Sequence, residues 1–158
     1  MEENNLSLKE IKTLKKLLKK LSGLPNIPQE LFVPVMGKNV PVTIELVIIC
    51  GNKILLTPRN DAYYKGWHFP GSFLCPGETF KDACKRTALK ETNLKIQKSE
   101  LISVINVPES KRFHYASLIF ICSTRGEPSE GEWFTKCPKN IIPQHKKIWL
   151  ISNRYLKK

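Results

Sequence analysis

At 158 residues the chain can bury one sizeable core but not two, and its 41% hydrophobic and 25% charged residues are the balance of a soluble globular domain. No apolar run approaches the roughly 20 residues needed to cross a bilayer; the longest, Val42 to Cys50, is interrupted by Thr43 and Glu45. The net charge of +12 calls for a polyanion, yet no helix-turn-helix, zinc-finger or RNP-like sequence organises it into a nucleic-acid-reading surface.

Glu2 and Glu3 precede a lysine-rich amphipathic stretch, which lacks the apolar core of a secretion signal, so a cytoplasmic protein is expected. Cys50, Cys75, Cys84, Cys122 and Cys137 are odd in number and form no C-x-x-C pair, and all five read as reduced and structural. Cys50 and Cys122 end apolar runs, where a cysteine behaves as a small buried hydrophobe. Much of the basic charge lies at two places: Lys9 to Lys20, and Lys146, Lys147, Arg154, Lys157 and Lys158.

In chain order, residues 7 to 22 are predicted to be an amphipathic helix. Ser7 and Glu10 fit a capping box, in which each side chain satisfies a free amide of the first turn. At about 100° per residue Leu8, Ile11, Leu14, Leu17, Leu18 and Leu21 share one half of the wheel, opposite the lysines. Gly23 and Pro25 end it. Such a helix packs on its own domain or on a partner subunit, and a homodimer is expected; a membrane-surface role lacks aromatic anchors. A proline-punctuated connector follows, with a short helical turn at Gln29 to Phe32. Val42 to Cys50 and Lys53 to Thr57, joined by Gly51-Asn52, read as a β-hairpin. A polar, aromatic loop from Arg59 to Trp67 leads to His68-Phe69-Pro70-Gly71. Residues 79 to 92 read as a helix with Thr79 at its cap and Phe80, Ala83, Cys84, Ala88 and Leu89 available for packing. Strands are expected over Leu101 to Val107, Arg112 to Cys122 and around Trp133-Phe134, and a last helix after Pro143. This order means an α+β domain.

The chemistry concentrates in Gly66 to Leu94, GWHFPGSFLCPGETFKDACKRTALKETNL. A Pro-Gly loop and a second turn at Pro76-Gly77 feed a helix, with Glu78 at its entrance and Arg86 and Glu91 further along. A loop feeding a carboxylate-bearing helix can seat a divalent cation, since Mg²⁺ takes a few carboxylates or carbonyls and leaves its other positions to water and phosphates.

This stretch resembles the Nudix box, G-x5-E-x7-R-E-U-x-E-E-x-G-U with U aliphatic. Glu78 stands as its first glutamate, Arg86 as its arginine, Glu91 as the second residue of the E-E pair and Leu94 as the closing aliphatic. Trp67-His68-Phe69-Pro70-Gly71 is similar to the W-x-x-P-G-G segment before the box. The resemblance implies a Nudix-type α/β/α sandwich with a mixed sheet over residues 35–158, preceded by the amphipathic helix and connector of residues 1–34. Four positions depart from the pattern. Ser72 and Asn93 replace glycines, Thr87 replaces the glutamate after the arginine, and Lys90 replaces the first of the E-E pair. The family's glutamates bind metal, so at most one cation is expected here.

One branch of the family, the GDP-mannose hydrolases, keeps the arginine and the last glutamate and attacks the sugar carbon with one Mg²⁺. Leu55-Leu56-Thr57-Pro58-Arg59 is similar to its strand ending in a substrate-binding arginine, His114-Tyr115 to the placement of its tyrosine, and Gln144-His145 to its Gln-His pair. The arginine that the branch carries after its Gly-Gly is Phe73 here. The resemblance implies Glu91, Gln144 and a carbonyl near Gly71 as ligands of Mg²⁺, or of Mn²⁺ in its place. It implies Arg59 and Tyr115 as substrate-binding groups and His145 as general base. Glu78 and Arg86 are implied as members of the catalytic site; alternatively Glu78 only shapes the helix entrance and Arg86 braces the loop through Glu78. His68 and His114 read as packing residues, and Trp67, Tyr63 and Tyr64 as core cover or stacking surfaces.

The function expected is Mg²⁺-dependent hydrolysis of a nucleoside diphosphate-linked compound, with a nucleotide sugar such as GDP-mannose as first candidate. Two rivals stand beside it. A catalytically impaired domain acting as a nucleotide sensor or adaptor is suggested by Thr87 and Lys90. An ADP-ribose-type pyrophosphatase attacking phosphorus needs carboxylates that the helix does not supply, unless strands or tail provide them.

Overall fold

The computed structural model describes residues 6–23 and 26–156. Glu2, Glu3, the Pro25 stop signal and the terminal Lys157 and Lys158 lie outside the described residues. The elements run α1 (Leu8–Leu18), α2 (Gln29–Met36), β1 (Val42–Cys50), β2 (Lys53–Asn60), β3 (Lys65–His68), β4 (Gly71–Phe73), α3 (Phe80–Thr92), β5 (Lys95–Val107), β6 (Tyr115–Arg125), β7 (Glu132–Phe134) and α4 (Pro143–Ser152), with a closing 3-10 turn, Asn153–Tyr155.

Strand β1 is the axis of the sheet, whose order is β3-β2-β1-β6-β5. It runs parallel to β6, while β5 and β6 are antiparallel, so the sheet is mixed. The other edge of β1 is divided. Thr43, Ile44 and Glu45 face β4, whereas Ile49 and Cys50 face β2. Between these two pairings Leu46 N–H donates to the Pro70 carbonyl at 2.8 Å.

Alternation along β1 sends its side chains to two different cores. Ile44, Leu46 and Ile48 pack with Ala83, Cys84 and Ala88 of α3. Val47 packs with Ile148 and Trp149 of α4 and with Phe69. A helix therefore covers each face, which is the expected α/β/α sandwich. Each fully buried aliphatic side chain is worth about 1.5–3 kcal/mol relative to exposure.

Helix α3 starts where its cap predicts: the Thr79 hydroxyl accepts from Asp82 N–H at 3.2 Å. It ends at Asn93, in the left-handed conformation with φ 57°, a position that asparagine tolerates better than most residues and that the family pattern gives to glycine. Phe80 and Leu89, expected to pack, are largely exposed, and the small residues Ala83, Cys84 and Ala88 form the buried face instead.

Further differences have local causes. The loop expected from Arg59 to Trp67 is a hairpin, because β2 continues to Asn60 and pairs Arg59 with Gly66 and Pro58 with Trp67. The strand expected from Arg112 begins at Tyr115, since Ser110 holds the backbone of Arg112 and Phe113 in a turn. Cys50 is exposed because β1 ends there, and all five cysteines are free. Helix α2 extends to Met36, so the division expected between residues 34 and 35 falls inside a helix.

Helix α1 has the expected capping box, with Ser7 N–H donating to Glu10 at 2.8 Å. It ends at Leu18 and buries no residue. Leu8, Ile11, Leu14, Leu17 and Leu18 remain 41–78% exposed, so the expected packing on its own domain is absent among the described residues. Short helices fray without tertiary support. No helix among the described residues is long and apolar enough to cross a membrane.

Candidate active site

A cavity of about 370 Å³ opens where β1 parts from β2 and β4, bounded by the end of α3 and the start of α4. Arg59, Gly71, Arg86, Glu91, Tyr115, Gln144 and His145, all singled out in the sequence, line it. Glu78 does not line it. Both Glu78 oxygens bond to Arg86, and Oε2 also accepts Cys75 N–H at 3.0 Å. Arg86 completes the brace by donating to the Phe73 carbonyl at 2.9 Å and to Ser72 Oγ at 3.0 Å. Hydrogen bonding to Arg86 lowers the Glu78 pKa to about 2. Of the two roles open to Glu78 in the sequence, this geometry provides the loop brace.

The two box departures Ser72 and Thr87 lie against each other. Their hydroxyls are 2.6 Å apart, and Thr87 is fully buried. A family glutamate at 87 would have to cross this contact to reach the cavity. Lys90 lines the cavity from an exposed position, and its charge favours ionised Glu91.

Glu45 is the residue that sequence reasoning missed. It stands in the middle of β1, 6% exposed, with Oε1 at 3.5 Å from Ser117 Oγ and Oε2 without a hydrogen-bond partner among the described residues. Its Oε2 lies 2.0 Å from where a Cβ on Gly71 would sit, so only glycine at 71 leaves room for it. Gly71 N–H donates to Glu91 Oε2 at 3.0 Å. Two carboxylates, one from β1 and one from α3, thus meet at one backbone position. Desolvation first, then the charge of Glu91, raises the Glu45 pKa well above the carboxylate range. Burial raises Glu91 to about 7. The overlooked signal is a carboxylate inside an otherwise apolar, β-branched strand, since glutamate is rarely buried without a partner.

His145 is 3% exposed and stacks on Phe69. Its Nδ1 accepts Phe69 N–H at 2.9 Å, so the neutral ring carries its proton on Nε2, 4.0 Å from Glu45 Oε2. Burial first, then electrostatic interaction with His68 and with the Arg59 cation, drives its pKa well below the usual histidine value. His68 bonds Thr57 Oγ1 at 3.2 Å and, desolvated beside Arg59, has its pKa lowered to about 4. His114 bonds Asn106 and stays out of the cavity lining.

Gln144 donates through Nε2 to the Tyr64 hydroxyl, which also accepts Lys111 N–H at 2.9 Å. That fixes the amide, and its buried Oε1 is left without a partner. Arg59, Lys111 and Arg112 surround the Tyr64 ring, with Arg59 5.2 Å from its centroid. Arg59 is held by Asp61 at 2.7 Å, and Arg112 lies 3.8 Å from the same carboxylate. Tyr115 is mostly buried in the lining, and desolvation raises its pKa.

Among the described residues no three His, Cys, Asp or Glu side chains gather as a ready-made cation site. Gln144 Oε1, without a partner among the described residues, and the Glu91 carboxylate are nevertheless hard oxygen donors. Mg²⁺ needs only one or two carboxylates from a protein, so these residues fit one such ion.

A family model described as the NUDIX domain matches residues 41–142, from the foot of β1 to the cap of α4. The chain belongs to the Nudix family. Its box is the loop β4–α3 and the helix that carries Arg86 and Glu91. The chain is 32% identical over 118 residues to an ADP-ribose pyrophosphatase of Methanocaldococcus jannaschii, covering 68% of this chain and 69% of that protein. It is similar in structure to a MutT NUDIX hydrolase from Burkholderia pseudomallei, with TM-score 0.64 and 19% identity over 75% of this chain and 99% of the other. A bifunctional NMN adenylyltransferase/ADP ribose pyrophosphatase from Francisella tularensis matches 94% of this chain and 46% of its own, with TM-score 0.60 and 18% identity. Both likenesses below 25% identity speak to the fold.

Proposed function

We propose that this Nudix protein is a divalent-cation-dependent hydrolase of nucleoside diphosphate-linked compounds, of the ADP-ribose pyrophosphatase class, in which water attacks phosphorus. The observation that carries the reading is Glu45. The helix had lost carboxylates at Thr87 and Lys90, and the strand supplies one. The relationship to the Methanocaldococcus jannaschii protein supports the same substrate class.

Glu91, Gln144 Oε1 and a backbone carbonyl near Gly71 would hold one Mg²⁺ or Mn²⁺, which when bound supplies charge neutralisation at the diphosphate. Arg59 and Arg112 draw the diphosphate into the cavity, and Tyr115 borders it. Glu45 accepts a proton from water as the water oxygen forms its bond to phosphorus and the bridging P–O bond breaks. His145, with its proton on Nε2, orients Glu45 and is not itself the base. The domain works in the cytoplasm, in keeping with its free cysteines, and as a homodimer that covers the apolar face of α1.

A second reading, carbon attack on a nucleotide sugar such as GDP-mannose, is favoured by the gathering of Arg59, Tyr115, Gln144 and His145 in one cavity. Hydrolysis of ADP-ribose and GDP-mannose in ¹⁸O-labelled water separates the two. The expected result is AMP and ribose 5-phosphate with label in a phosphate. Release of GDP and labelled mannose would establish carbon attack. Tight nucleotide binding with no product from either compound would establish the sensor.

A further inference from the structure

Part of the cavity lining is aromatic, and one of its rings comes from outside the residues that match the family. The Phe32 ring on α2 has its centroid 5.4 Å from that of Phe73 on β4 and 5.8 Å from that of Phe113, in the turn before β6. Phe73 and Phe113 close the triangle at 6.0 Å. All three line the cavity and are only half-buried. The serine and threonine hydroxyls in the same lining are already engaged: Thr43 with Ser117 at 2.6 Å, Ser72 with Thr87 at 2.6 Å, and Ser110 with the Phe113 carbonyl at 2.7 Å.

Three partly exposed phenylalanines beside a cationic and carboxylate-bearing centre ask for a ligand that is flat and π-rich at one end and anionic at the other. We propose that the Phe32–Phe73–Phe113 triad seats the nucleobase by its face while the diphosphate lies toward Arg59 and Arg112, which makes α2 part of the substrate site. This rests on the reading that the ligand is a nucleoside diphosphate compound. Because the wall stacks and its neighbouring hydroxyls are engaged elsewhere, it accepts different bases alike, since every base has a π-face.

Equilibrium titration of the full chain with ADP, GDP and inorganic pyrophosphate in the presence of Mg²⁺ tests this without requiring turnover. ADP and GDP should bind within roughly threefold of each other and both more tightly than pyrophosphate. Phe32→Ala and Phe113→Ala should each weaken ADP by about 5- to 150-fold, the range for loss of one stacking partner, and leave pyrophosphate unchanged. Phe32→Tyr should keep the wild-type affinity. ADP binding no tighter than pyrophosphate in the wild type, a preference between the bases above roughly tenfold, or equal loss of both ligands in Phe32→Ala would overturn the proposal. The wild-type comparison decides even where a variant misfolds. ADP and GDP both binding more tightly than pyrophosphate, with no hydrolysis of ADP-ribose, would leave the triad standing and remove the hydrolase reading instead.

Discussion

Glu45, in the middle of β1, and Glu91, near the end of α3, converge on Gly71: one fills the space a side chain there would need, and the other accepts its N–H at 3.0 Å. The pair places negative charge from two separate elements around one loop. Glu45→Gln should lower turnover by about 10²–10⁴-fold, the range for loss of an acid–base group, and Glu91→Gln should lower it by weakening the hold on the divalent cation. Without a divalent cation both variants should melt at or above the wild-type temperature, because a desolvated, mutually repelling charge is gone. Turnover near wild type in Glu45→Gln would remove the base assignment.

His145 offers a sharper distinction. Its Nδ1 accepts Phe69 N–H, and asparagine can offer an oxygen for the same bond. His145→Asn should therefore retain most of the turnover that His145→Ala loses, with the acidic limb of the pH–rate profile unmoved. A base histidine predicts the opposite, since asparagine and alanine would then be equally inactive.

Ser72 and Thr87 should behave as a coupled pair. Thr87→Glu alone drives a carboxylate into the buried contact with Ser72 and should destabilise the fold by about 1–3 kcal/mol. Adding Ser72→Gly, which restores the family residue, should recover part of that loss. Chemical denaturation of the two single variants and the double variant measures the coupling, and additive losses would show that the two sites are independent.

The Glu78–Arg86 brace carries a pH signature. The Glu78 pKa is lowered from 4.5 to about 2 in the fold, so the native state prefers the ionised carboxylate. The stability this contributes is present above pH 4.5 and is lost as pH falls toward 2. Wild type should accordingly exceed Glu78→Gln in urea midpoint at neutral pH, and the gap should shrink through that acid window. A gap independent of pH would assign the effect to packing.

The apolar face of α1 should be covered by a second copy. Leu14→Lys or Leu17→Lys should shift the chain from dimer to monomer in light scattering while leaving ADP-ribose turnover per chain largely intact. Wild type that is monomeric at every concentration would remove the homodimer.

Local chemistry determined much of this protein before tertiary structure entered. The Ser7 and Thr79 caps, the left-handed stop at Asn93 and the β-branched run of β1 act through neighbouring residues, so α1, α3 and β1 were legible to within a few residues. The spacing from Arg86 to Glu91 was legible too, because a helix turns fixed spacing into fixed direction. What sequence could not carry is who meets whom across the fold. Glu45 reads as an interruption of an apolar strand until β4 brings Gly71 opposite it and α3 brings Glu91 to the same place. His145 reads as a general base or an exposed loop histidine, and only the tertiary structure shows that it is buried on α4 with Phe69 N–H at its Nδ1. Phe32 lies outside the family match, and only the packing of α2 sets it beside Phe73 and Phe113. Burial and long-range pairing decide protonation and partnership, and neither is a property of a residue's neighbours in sequence.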